Sequence, residues 1–115
     1  MLTKHVKFKI LADLRGISER IEVLKTNETL YEKTSQIYGR AKGLEYYLRR
    51  TTNKSEAPIL FNSVKSICDA LLAILRISYG DTTNADNPAI NSRIAQIKSY
   101  AKKAQETLLT EAHED

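Results

Sequence analysis

Small and apolar residues recur along this chain at alternating intervals of four and three. Ile10, Leu14, Ile17, Ile21 and Leu24 form the first series, and Leu30, Thr34, Ile37, Ala41, Leu44 and Leu48 the second. Leu60, Val64, Ile67, Leu71 and Ile74 form the third; Ile90, Ile94, Ile97, Ala101, Ala104 and Leu108 make a less regular fourth. A helix of 3.6 residues per turn gathers each series into one stripe, and that spacing suits nearly parallel packing between helices. The pattern predicts helices over residues 4–25, 29–50, 55–79 and 88–110. Short connections between long helices favour antiparallel neighbours. The expected fold is all-α, a single antiparallel four-helix bundle (up-down-up-down) over residues 1–115.

Local signals set the expected boundaries. Thr29 followed by Glu32 has the spacing of a capping box. Ser55 can cap the third helix, with Glu56 favourable near the dipole's positive end and Pro58 tolerated in the first turn. Gly80 stops that helix, and Asn87 with Pro88 starts the fourth after the polar stretch 81–87. Val6, Phe8 and Ile10 alternate with lysines, so residues 4–11 also fit a short strand; continuation of the helical spacing to Leu14 favours helix. The acidic tail 111–115 is expected to fray.

The third helix is apolar over more than half its circumference. It should be the central helix, or bury a second face against a partner. No uncharged run approaches the roughly 20 residues of a membrane span, and no secretory signal is visible. The one cysteine, Cys68, falls on the apolar face of that helix and reads as core, in a reduced, cytoplasmic setting.

Charge changes the picture more than composition does. The net charge is +4, yet the last ten residues carry four acids and no base. The basic excess therefore lies on helices one, two and four. Within residues 38–54, Tyr38, Arg40, Lys42, Tyr46, Tyr47, Arg49, Arg50 and Lys54 are opposed only by Glu45. Cations neutralise phosphates and release counterions, and aromatic rings stack on bases. Lys98 and Lys102, one turn apart on helix four, could extend the same surface. A solvated face of a basic protein has the same composition.

Gly39 and Gly43 line one side of helix two with Ser35. Small residues at that spacing admit a second backbone, either within the bundle or in a homo-oligomer, and with the wide apolar band of helix three they lead to the expectation of a homo-oligomer, most often a closed dimer. Catalytic constellations are missing: the chain has no Glu-x-x-His pair, no zinc-ligand spacing, no phosphate-binding glycine loop and no nucleophile elbow. His5 and His113 read as surface residues. The sequence thus reads as a non-catalytic accessory protein without metal or cofactor, binding nucleic acid or a nucleoprotein through its basic helices. The alternative is a protein-interaction module, such as an adaptor, immunity or chaperone-like bundle, docking through the apolar face of helix three. No membrane contact is expected.

Overall fold

Four helices form where the stripes place them: α1 (Lys4–Glu22), α2 (Leu30–Thr51), α3 (Pro58–Ser78) and α4 (Pro88–Thr110). The computed structural model describes residues 2–24, 29–79, 88–110 and 113–114. The helices pack in a closed ring: α1 on α2, α2 on α3, α3 on α4 and α4 back on α1. They make an antiparallel bundle of 48 × 21 × 19 Å. Leu2–Thr3 (β1) pairs in parallel with His113–Glu114 (β2), Leu2 opposite His113. The two chain ends therefore meet at one end of the bundle, and His113–Glu114 is held where the sequence suggests fraying.

The stripes form one core. All six residues of the α2 series are buried, as are all five of the α3 series. In the first series only Leu24, just past α1, and in the fourth only Ile94 are half-buried rather than buried. Helix α3 buries nine residues, against six on α1, seven on α2 and five on α4. It also makes the two most extensive interfaces, with α4 and α2, so it is the central helix of the sequence reading. By length and apolar composition α3 could cross a membrane. Lys65, Asp69 and Arg76 stand exposed on it, however, and its broadest stripe is spent on the core.

Several boundaries move, each for a physical reason. The strand alternative for residues 4–11 gives way to helix from Lys4, because Thr3 Oγ1 accepts the Val6 N–H at 3.3 Å and caps the first turn. Helical register then carries Lys7 onto the buried stripe three residues before Ile10 and leaves Phe8 56% exposed. Helix α1 ends at Glu22, where the Leu24 N–H closes a tighter turn on the Ile21 carbonyl at 3.2 Å. Thr29 sits at the N-cap of α2 but its side chain makes no capping bond there.

Ser55 does not cap α3. It lies in a short 3₁₀ turn, Lys54–Glu56, and α3 begins at Pro58 with Ala57 as its N-cap. A residue before proline is pushed out of the α region, so Ala57 (φ −144°, ψ 60°) interrupts what would otherwise be continuous helix. The Gly80 stop, the 81–87 connection and the Asn87 cap lie outside the described residues.

Cys68 is core, as its stripe position implies, with 4% of its surface exposed. Burial first, then the Glu45 carboxylate, pushes its thiol up to about 12. The thiolate is the reactive form, so Cys68 should resist alkylation at pH 8 in the folded protein. Its rate should rise by at least about a hundredfold in denaturant. Timed iodoacetamide labelling read by mass spectrometry checks this; equal rates would place the thiol at the surface.

Candidate nucleic-acid interface

Helix α2 carries the basic and aromatic residues of the 38–54 segment, and its turn of 3.6 residues divides them between two flanks. The flank beside α3 holds Tyr38, Lys42, Glu45 and Arg49. The flank beside α1 holds Arg40, Tyr47 and Arg50. Between them, facing outward, runs a crest of Ser35, Gly39, Gly43 and Tyr46.

The α1 flank opens into a groove of about 320 Å³ lined by Lys9, Asp13, Arg40, Gly43, Leu44, Tyr47 and Arg50. Lys9 Nζ is 3.3 Å from Asp13 Oδ1 and 5.8 Å from the centre of the Tyr47 ring. Arg40 and Arg50 stand exposed beside them. Tyr47 is half-buried against the core, so its position beside the Leu44 and Leu48 stripe makes it a wall of the groove.

The α3 flank is organised by Glu45, which is 8% exposed. A carboxylate that far from water needs compensation. Lys42 Nζ supplies it at 2.6 Å from Oε1, and Arg49 stands 3.6 Å from Oε2. The hydrogen bond from Lys42 to Glu45, reinforced by the opposite charge, raises the lysine's pKa above its ordinary value. The only acid of the segment is thus a fixed anchor for two of its cations. Lys54, in the 3₁₀ turn, completes this flank at the α2–α3 corner.

Tyr46 is the most accessible aromatic of the segment, 63% exposed, with the Arg50 guanidinium carbon 5.0 Å from its ring centre. A cation against one face of a tyrosine orients the ring and leaves the other face available for stacking. Tyr38, by contrast, is half-buried and packs on the core.

The basic residues of α4 do not join this surface. In the ring of helices α2 and α4 are diagonal, each packed on α1 and α3. Lys98 pairs with Glu22 at 3.6 Å, and Lys102 shares a groove with Ser18, Glu22, Gln105, Glu106 and Leu109. Two carboxylates balance two lysines there. Sequence reading missed Lys9 on α1 and Lys65 on α3, which the fold brings to the flanks of α2. The available signal was the antiparallel register, which sets the start of α1 and the start of α3 beside the end of α2.

Gly39 and Gly43 do not serve close packing inside the bundle. A Cβ added at either meets no heavy atom within 4 Å outside its own stretch of helix. Two solvent-facing glycines in a helix interior carry a propensity cost of about 1 kcal/mol each relative to alanine. Gly43→Ala should therefore stabilise the isolated protein by up to about 1 kcal/mol. Urea unfolding at low protein concentration measures it, and a loss of stability would show that the position packs against something.

Among the described residues no three His, Cys, Asp or Glu side chains come together as metal ligands. No protein-family model matches the chain, and the searches of curated proteins and of solved structures returned no match. The functional reading accordingly rests on the geometry of α2 and its flanks.

Proposed function

We propose that this protein is a non-catalytic accessory protein that binds nucleic acid or a nucleoprotein through the C-terminal half of α2. The observation that carries this reading is the exposed Tyr46 ring, backed by Arg50 and standing between two cation-lined flanks. Lys9, Arg40 and Arg50 lie on one side, and Lys42, Arg49 and Lys54 on the other. The acids within these flanks, Asp13 and Glu45, are each already engaged by a lysine. Such a surface neutralises backbone phosphates without reading sequence, while the ring stacks on a base.

The apolar alternative draws less support. Most of the apolar band of α3 is buried or half-buried; Ile59 is its exposed large member, with Tyr79 exposed just past the helix end.

Stacking makes a distinct demand. Tyr46→Ala should weaken binding to single strands by roughly 1–3 kcal/mol and weaken duplex binding less, because paired bases do not offer their faces. Fluorescence anisotropy with a labelled oligonucleotide, alone and annealed, measures both. Equal losses on the two substrates would remove Tyr46 from a stacking role.

A further inference from the structure

The α2–α3 corner holds a second feature that a general phosphate-neutralising surface does not require. A cavity of about 300 Å³ opens there, lined by Glu45, Arg49, Thr52, Asn53, Lys54, Phe61, Asn62 and Lys65. Its charge is three cations against one carboxylate. That carboxylate is spoken for, since Lys42, outside the cavity, binds Glu45 Oε1 at 2.6 Å. Arg49 is held at 3.6 Å from the other oxygen. Lys54 and Lys65 have no ion pair among the described residues, and the Asn62 side chain has no hydrogen bond there. Phe61, half-buried, forms an apolar wall.

We propose that this cavity binds the phosphate monoester of a nucleotide. A monoester is a dianion near neutral pH and matches the net charge of the lining. An internal phosphodiester carries one charge over two terminal oxygens, where the monoester carries nearly two over three. Lys54, Lys65 and Arg49 hold the phosphate, Asn62 offers an amide donor and acceptor to the sugar or base, and Phe61 packs against the base. The nucleotide is either the phosphorylated end of a strand, which rests on the reading of α2 above, or a free mononucleotide.

Two measurements on the full chain separate these cases. The first compares anisotropy of one short single-stranded DNA bearing a 5′-phosphate or a 5′-hydroxyl, for wild type and Lys65→Ala. The second follows the Asn62 side-chain amide by nitrogen–proton correlation spectra during titration with 5′-AMP or inorganic phosphate. The phosphorylated strand should bind about tenfold more tightly, as expected for added charge-assisted hydrogen bonds. Lys65→Ala should erase that difference, and 5′-AMP should shift Asn62 where inorganic phosphate does so weakly.

No binding of either strand, with Asn62 still shifted by 5′-AMP, would support the cavity as a mononucleotide site and overturn the strand reading of α2. Equal affinity for both strands with Asn62 unmoved by 5′-AMP would overturn the cavity proposal and leave the α2 reading standing. An inorganic phosphate response equal to that of 5′-AMP would overturn nucleotide recognition.

Discussion

Leu71→Ala should destabilise the protein by roughly 2–5 kcal/mol, because it removes a leucine's buried volume from the centre of the bundle and leaves a cavity. Leu71 has no exposed surface and lies mid-way along α3, the helix with the most buried residues. Its neighbours on the stripe, Ile67 and Ile74, are equally buried, so little collapse is available to fill the space. Arg93→Ala is the matched control. Arg93 is exposed on α4 and, among the described residues, hydrogen-bonds only Gln96 Oε1, at 3.1 Å, one turn along the same helix. Its loss should leave stability within about 0.5 kcal/mol of wild type. Urea unfolding followed by circular dichroism compares the two. Similar midpoints for both variants would contradict the core as described.

The second large effect concerns binding. Arg49 and Arg50 are adjacent in sequence but stand on opposite flanks of α2, one beside Glu45 and one beside Tyr46. Replacing both by alanine removes a cation from each flank at once. Each lost phosphate contact lowers the slope of log affinity against log salt by about one unit, so the double variant should lose about two. The loss should be nearly the same for unrelated sequences, because phosphate contacts position the ligand and base contacts specify it. Glu45 remains compensated by Lys42 in this variant, and both arginines are exposed, so the fold should persist.

Much of the fold was legible because burial on a helix follows a fixed angular period. The residues at spacings of four and three in α2 and α3 are all buried, and a two-residue shift lands on exposed residues throughout α2 and on none that is buried in α3. Boundary errors came from local chemistry that competes with that period. Ser55 and Glu56 have the composition of a helix start, but Pro58 forbids α geometry at Ala57 and detaches them as a separate turn. Lys7 shows the opposite failure. Polarity argues for exposure, yet register next to Ile10 fixes it inward.

The candidate site was legible only as composition. Arg40, Lys42, Tyr46, Arg49 and Arg50 are visible as a cluster in the chain, but which flank each occupies depends on what α2 packs against. Gly39 and Gly43 read as packing residues, within the bundle or between copies; the open space outside them removes the within-bundle reading. Lys98 and Lys102 read as part of one positive surface; the ring order places them across the bundle, beside Glu22 and Glu106. Lys65 and Asn62 belong to a cavity that exists only once α2 and α3 are antiparallel. No spacing within a single helix could have revealed them.

The proposed role has the C-terminal half of α2 holding nucleic acid by its phosphates. The most direct measurement is a fluorescence-anisotropy titration of wild type and the Arg49→Ala/Arg50→Ala variant against DNA and RNA at several salt concentrations. Binding at low salt should weaken linearly on a log–log plot as salt rises, with the slope smaller by about two in the double variant. Absence of binding to either nucleic acid at low salt, or a slope that the double variant leaves unchanged, would contradict it.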